Sequence, residues 1–337
     1  MLKYRNLKPA ATAASKRSCM FCIELTSLCN FSCSYCPSQW MTRDKKHISY
    51  RTAIRNLEAI ATNKLDSTIG FHVMGEPMLY PRFDEILKYA GRLGLQTVLV
   101  TNGSLLTPPR TKKIAPYLNQ IIISVNGNSA SLHELRGCTL KYDNYMSRIR
   151  AAAAVLLEQQ VIVTISYMSG SLPQADFICT KREQAAVLRE WRRFSQQIEK
   201  PALSRKKNNL RSSFIGRLKK ETAGECFALP GGLNVLFRPI SPLWAGNPRP
   251  GHRSPQADPS RMCNFTPSIL SNGKFVLCCG DFDGRMSIGN ADTTSVHEIL
   301  KQNHALIARI ADINQRGLLF ERTCTGCSPR TKACPSA

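Results

Sequence analysis

The stretch Cys22–Pro37, CIELTSLCNFSCSYCP, sets Cys29, Cys33 and Cys36 at C-x3-C-x2-C spacing. The largely apolar run Met20–Leu25 reads as a short strand, so the three thiols fall in the loop that follows it. Three thiolates can hold three irons of a cubane [4Fe–4S] cluster, which ordinarily takes four cysteines. The fourth iron then lacks a protein ligand, and an open metal position is what lets a metal bind and activate a substrate. The competing reading is a zinc knuckle or three ordinary buried thiols. Zinc prefers four N or S ligands, often as paired C-x2-C units, and a tight triplet suits it poorly.

Outward from this loop, strands and helices alternate. Tyr50–Thr62 reads as a helix with Ile54, Leu57 and Ile60 at helical spacing. Ile69–Met74 is a strand, Phe83–Leu93 a helix, Gln96–Val100 a strand and Pro109–Leu118 a helix. Ile121–Val125, the helix Tyr145–Glu158 and the strand Val161–Tyr167 continue the series, and Leu233–Phe237 is taken as a sixth strand. Such β/α alternation with short connections signals a parallel sheet under outer helices.

In parallel α/β barrels the chemistry sits in loops after the carboxyl ends of strands. Four short segments join the cysteine loop there: Gly75-Glu76-Pro77 after IGFHVM, Thr101-Asn102-Gly103 after QTVLV, Ser124-Val125-Asn126 at the end of IIISV, and Arg136-Gly137 in LHELRG. Taken singly, they read as a Gly/Pro turn, an N-G turn, a strand end and a solvent-facing arginine.

The triplet, with the aromatic Tyr35 just before its last cysteine, resembles the radical S-adenosylmethionine (SAM) superfamily. The resemblance implies that the amino and carboxylate groups of SAM chelate the open iron. One electron then cleaves SAM to methionine and a 5′-deoxyadenosyl radical, which abstracts a hydrogen atom from an unactivated carbon. Gly75-Glu76-Pro77 resembles the family's GGE motif, whose backbone and carboxylate hold the SAM amine, with Met74 in place of the first glycine. Thr101-Asn102-Gly103 is similar to its TNG turn. Ser124 and Asn126 are similar to an S-x-D segment near the ribose and carboxylate, Asn126 standing where Asp is commoner. Arg136 corresponds to an arginine for the SAM carboxylate, which a guanidinium fork grips bidentately. The cofactor contacts so implied are Tyr35, Gly75, Glu76, Pro77, Asn102, Ser124, Asn126 and Arg136; no residue is assigned to the substrate. In the fifth strand Val163, Ile165 and Tyr167 share one face, against adenine by the resemblance or in the barrel core by the simpler account.

A second cysteine set begins at Cys263, where C-x9-G-x4-C runs through Gly273 to Cys278. Asn272-Gly273 between apolar runs reads as a hairpin turn. Cys324-x2-Cys327 follows a helix expected over Val296–Ile310. The pattern fits the start of the SPASM signature, a cysteine-rich extension of many radical SAM enzymes. A full SPASM domain has seven cysteines and two auxiliary clusters. Here the expected C-x5-C after Cys327 is missed by one residue, as in the shortened twitch form with one cluster. Cys263, Cys278, Cys324 and Cys327 are therefore expected to ligate one auxiliary [4Fe–4S] cluster, with Cys279 able to replace Cys278; a structural zinc site is the alternative.

The chain has 337 residues, 43% hydrophobic, with fourteen cysteines and a net charge of +23. With no signal-peptide h-region and no apolar run of membrane length, clustered cysteines read as metal ligands in the cytoplasm. Residues 181–220 carry thirteen Lys or Arg against three acids, which attracts an acidic peptide, a phosphorylated or carboxylated compound, or nucleic acid, or is a solvated face. No RNA-binding motif accompanies it.

The expected architecture is α/β: a basic tail over 1–18, a partial (β/α)6 barrel over 19–238, a Pro-rich bridge over 239–262 and a small α/β iron–sulfur domain over 263–337. The expected activity is hydrogen abstraction leading to oxidation, in peptide or natural-product tailoring, with flavodoxin or ferredoxin as electron donor. Epimerisation with Cys138, Cys179 or Cys226 as hydrogen donor, RNA modification, and a zinc-bearing nucleic-acid-binding protein are the alternatives.

Overall fold

A computed structural model describes residues 20–172, 175–198, 209, 211–213, 215–216, 224–240 and 266–307. The order is β1 (Phe21–Ile23), α1 (Tyr50–Thr62), β2 (Thr68–Phe71), α2 (Phe83–Arg92), β3 (Gln96–Thr101), α3 (Pro108–Ile114), β4 (Gln120–Asn126), α4 (Ala130–Glu134), α5 (Tyr142–Glu158) and β5 (Ile162–Ser169). A small hairpin, β6 (Ser171–Leu172) and β7 (Ala175–Asp176), leads to α6 (Lys181–Gln197). Then come β8 (Glu225–Ala228), β9 (Leu233–Pro239), β10 (Ser268–Ile269), β11 (Lys274–Val276), β12 (Gly289–Asn290) and α7 (Val296–Gln302).

Strands β1-β2-β3-β4-β5-β9 are parallel neighbours in that order, the six strands of the α/β fold. The hairpin β10–β11 joins the other side of β1 through a parallel β10 pairing, and β8 pairs antiparallel with β9. Alternation divides each strand between two faces. Ile69, Phe71, Ile121, Ile123, Val163, Ile165, Tyr167, Val235 and Phe237 pack outward with Leu57, Ile60, Phe83 and Ile149 of the helices. This settles Val163, Ile165 and Tyr167 as core. The opposite face lines a lumen, where Val98, Ile122, Cys226 and Leu236 cluster and Met20 packs against them.

Local signals explain the helices. Ser49 caps α1 by accepting the Thr52 N–H, and Ala53, Leu57 and Ile60 bury one stripe. Helix α6 starts on a Thr180/Glu183 capping box and buries Val187, Trp191 and Ser195. The basic segment thus begins as an amphipathic helix with Arg182, Arg189, Arg192 and Arg193 on its exposed side. Several boundaries differ from expectation. Strand β2 ends at Phe71, short of the expected Met74. Helix α5 starts at Tyr142, α3 gives way to a 3-10 turn at Ala115–Tyr117 where Pro116 removes an N–H, and β8 adds an unforeseen edge strand. The 1–18 tail, residues 241–262 of the bridge, and Cys263, Cys324 and Cys327 lie outside the described residues. Among the described residues no helix is long and apolar enough to cross a membrane.

Candidate functional site

The cysteine loop is clamped from two sides by backbone. Ser32 and Ser34 donate to the carbonyls of Arg136 and Leu135 at 3.1 and 2.8 Å, and Glu76 N donates to Leu28 O at 2.8 Å. Both clamps require glycine. Gly75 has φ +72° and a Cβ there would lie 2.3 Å from Thr26 O; Gly137 has φ +54° and its Cβ would lie 2.0 Å from Ser32 Oγ. Met74, in place of the motif's first glycine, buries its side chain and donates its N–H to Glu24 at 3.0 Å.

Asn102 ties the motifs together. Its N–H donates to Glu76 Oε2 at 2.7 Å, its side-chain nitrogen to Asn30 Oδ1 at 3.0 Å, and its carbonyl accepts from Tyr145 Oη at 2.7 Å and Arg136 Nη2 at 3.4 Å. The same side-chain nitrogen lies 3.8 Å from Cys29 Sγ. Glu76 is fully buried, and its carboxylate also accepts from Thr101 Oγ1 at 2.8 Å and Met78 N at 3.1 Å. Burial pushes this carboxyl up, and the three donors work against that rise. The Glu76 carboxylate, which the resemblance sets against the SAM amine, is engaged by these three donors. The carboxylate turns inward and shapes the Thr101–Gly103 turn, because leaving those donors unpaired in the interior is costly.

Arg136 is 1% exposed and lies between Phe31 and Tyr145, 4.6 and 4.9 Å from the ring centroids. Its Nη2 donates to Ser124 O at 2.7 Å, so Ser124 meets Arg136 through its backbone; Nε and Nη1 are buried without a hydrogen-bond partner among the described residues. Tyr35 packs edge-on against Phe177, and its hydroxyl accepts from Asn126 Nδ2 at 3.0 Å, leaving Asn126 Oδ1 buried and unpaired among the described residues. Asn126 takes φ +68° at a bulge in β4, a conformation Asn tolerates.

Burial pushes Cys29 up to about 11 and raises Cys33 as well, with Arg136 pulling Cys33 back. Thiols so placed stay protonated at neutral pH unless a metal takes the proton's place. Phe31 N–H donates to Cys29 Sγ at 3.4 Å. Three thiols on one clamped loop, with orphaned Arg136 nitrogens beneath, fit an iron–sulfur cluster and a polar cofactor. The radical SAM superfamily model matches residues 23–172, and the SPASM model, an iron–sulfur cluster-binding domain, matches residues 263–328.

The chain belongs to the radical SAM superfamily. It is 29% identical over 154 residues to an AdoMet-dependent heme synthase of Methanosarcina barkeri (strain Fusaro / DSM 804), covering 42% of this chain and 41% of that protein. It is 27% identical over 147 residues to an S-adenosylmethionine-dependent nucleotide dehydratase of Pseudoalteromonas ulvae, covering 39% and 47%. The chain spans less than half the length of these curated relatives. Among solved structures, Streptococcus suis SuiB bound to S-adenosylmethionine superposes with a TM-score of 0.56 at 14% identity, over 94% of this chain and 73% of that one. SuiB has also been solved bound to the precursor peptide SuiA. This likeness shows the fold.

In this radical SAM protein the SPASM hairpin is bonded directly to the strand that carries the cysteine loop. Cys22 N donates to Pro267 O and Glu24 N to Ile269 O, both at 2.8 Å. Cys278 and Cys279 follow β11; Cys278 Sγ accepts the Gly280 N–H at 3.3 Å, while Cys279 and Cys36 each pack against the cluster of Cys22, Val73, Met74, Leu270 and Val276. Of the hydrogen-donor thiols weighed from sequence, Cys226 is buried in the lumen, Cys138 is half-buried after Gly137, and Cys179 is disulfide-bonded. Sequence reading missed Glu24 and Arg43, which join the loop to the hairpin. A lone carboxylate inside the apolar run MFCIEL was the available signal, since a buried charge needs a partner.

Proposed function

We propose that this chain catalyses a radical SAM reaction whose net outcome is oxidation of its substrate, in peptide maturation or natural-product tailoring. When bound, the clusters and SAM supply a 5′-deoxyadenosyl radical that removes a hydrogen atom and a second centre that accepts an electron. Cys29, Cys33 and Cys36 would hold the first cluster; Cys263, Cys278, Cys324 and Cys327 would hold the second. The backbone of Gly75-Glu76-Pro77 and of Asn102 shapes the bed beside the cysteine loop. Arg136 keeps two nitrogens for polar groups brought to it, Ser124 and Asn126 border the same end, and Tyr35 walls it.

The single observation that carries this reading is the convergence of the four other segments on Asn102, Glu76 and Arg136 around the cysteine loop. Oxidation is favoured by the hairpin's direct bonding to β1, since a cluster held by Cys278 of that hairpin would sit beside the strand that leads into the cysteine loop and could accept an electron. Reduction by a flavodoxin or ferredoxin would supply the initiating electron.

Iron and acid-labile sulfide per chain after anaerobic reconstitution test the reading. The expected result is about eight irons in the native chain and about four in C29A/C33A/C36A. Dithionite should release 5′-deoxyadenosine from SAM only with the native chain. Zinc in place of iron, with no cleavage of SAM, would overturn it.

A further inference from the structure

The seam between α1 and the SPASM hairpin holds a cavity of about 450 Å3 that none of the roles assigned above uses. Four basic residues line it. Lys46 and His47 come from the segment that follows the cysteine loop, Arg51 and Arg55 from the first two turns of α1. Ser271 of the hairpin and Asp292, just after β12, are part of the same lining. Hydrogen bonds fix these segments to one another. Ser27 N donates to Lys46 O at 3.0 Å, Lys46 N to Ser27 Oγ at 2.9 Å, and Ser271 Oγ to that same hydroxyl at 3.0 Å. The cavity therefore borders the approach to the cysteine loop, the first helix and the hairpin at once.

Its charge is unbalanced. Asp292 is the one acid among the described lining residues, and its Oδ1 already accepts from Thr52 Oγ1 at 2.6 Å. Lys46 and Arg51 are exposed, and neither makes an ion pair among the described residues. Arg55 gives Nη2 to Ala291 O, but its Nε is buried without a hydrogen-bond partner among the described residues, and so is His47 Nδ1. The first turn of α1 carries no acid, so the positive end of that helix is uncompensated too. Like charges gathered in a concavity focus the potential inside it above that of a flat surface. A negative group placed there relieves the mutual repulsion and forms charge-assisted hydrogen bonds. The volume is that of a small-molecule site, and the described lining includes no hydrophobic side chain, which selects a polar, charged ligand.

We propose that this cavity binds a small polyanion bearing phosphate or carboxylate groups, at a site separate from the one Arg136 serves. Lys46 and Arg51 supply free charge to the ligand. Arg55 and His47 form the wall behind them, and Asp292, held by Thr52, limits how far the anion reaches towards β12.

The test is calorimetric titration of the reconstituted holoprotein with two probes, pyrophosphate and succinate, with SAM present at saturation so that the cofactor site is filled. One saturable site per chain for at least one probe is expected, and the probe that binds distinguishes phosphate from carboxylate. K46Q/R51Q should weaken that site by about tenfold or more, and H47Q by a few fold. K45Q/K112Q removes the same two charges from exposed residues outside the lining and should bind the probe as the native chain does. Iron content and SAM cleavage, expected to be native in every variant, serve as controls for folding. Saturable binding of neither probe, or equal binding by K46Q/R51Q and the native chain, would overturn the proposal. So would an equal loss in K45Q/K112Q, since the binding would then belong to the general field of a chain with net charge +23.

Discussion

Arg43 Nη2 donates to both carboxylate oxygens of Glu24, at 2.7 and 2.8 Å, and the two side chains are 5% and 0% exposed. The pair joins three parts of the chain. Glu24 also accepts the N–H of Met74 before the glycine turn and of Ser271 in the SPASM hairpin, each at 3.0 Å. Arg43 in turn donates to Phe282 O at 2.6 Å and Ser271 Oγ at 2.9 Å. Every polar atom of the carboxylate therefore has partners, the condition under which a buried pair repays its desolvation.

Removing one partner strands the other charge. E24Q and R43M are each expected to destabilise the protein by about 3–5 kcal/mol, and E24Q/R43M by clearly less than the sum. Denaturant unfolding of the four proteins closes the cycle. Additive losses would mean that the two side chains act independently and that the hairpin is held by other contacts.

The sequence made the alternation of strands and helices visible because each signal is local. Ile121–Ile123 and Ala53, Leu57 and Ile60 repeat at periods set by one strand or one helix. Gly75 was legible as a turn, although the reason for it, Thr26 O at 2.3 Å from a Cβ, belongs to another segment. The inward turn of Glu76 was not legible, because two of its three donors come from the end of the next strand and were unknown until β3 lay beside β2. Glu24 and Ser271 stand 247 positions apart, beyond any periodicity. The Thr180/Glu183 box is readable as T-x-x-E, while the one buried stripe of the helix it starts, Val187, Trp191 and Ser195, is sparse among lysines and arginines.

The two glycine clamps predict a selective loss of the first cluster. G75A and G137A place a methyl group against Thr26 O and Ser32 Oγ, atoms of the cysteine loop and its approach. Gly94 supplies the control: its φ is +74°, but a Cβ there meets nothing within 4 Å, so G94A carries the backbone strain without the clash. Iron in G75A and G137A should fall from about eight towards about four per chain, while G94A keeps the native content. Equal iron in all three variants would show that the loop accommodates the methyl groups.

Tyr167 lies buried in β5. Its hydroxyl accepts the Trp191 indole N–H at 2.8 Å, and the two side chains are 1% and 0% exposed. This bond fastens α6 to the sheet. Y167F keeps the ring but leaves the indole N–H without its acceptor, at a cost of about 1–3 kcal/mol. Burial also pushes the phenol well above its ordinary range, with the Trp191 hydrogen bond acting in the other direction. The unfolded chain therefore loses this proton near pH ~10 while the folded chain keeps it. The folded state then binds more protons, so stability is fully present below about pH 10 and falls as the pH rises past it. In Y167F that part of the slope is absent, although the other buried tyrosines keep theirs. Denaturant midpoints compared between about pH 8 and about pH 11 read both effects: a lower midpoint for the variant at the lower pH, and a smaller decline between the two. An unchanged decline would mean that Tyr167 ionises as readily in the folded protein as in the unfolded chain, and that its burial against Phe237 and Trp191 gives way at high pH.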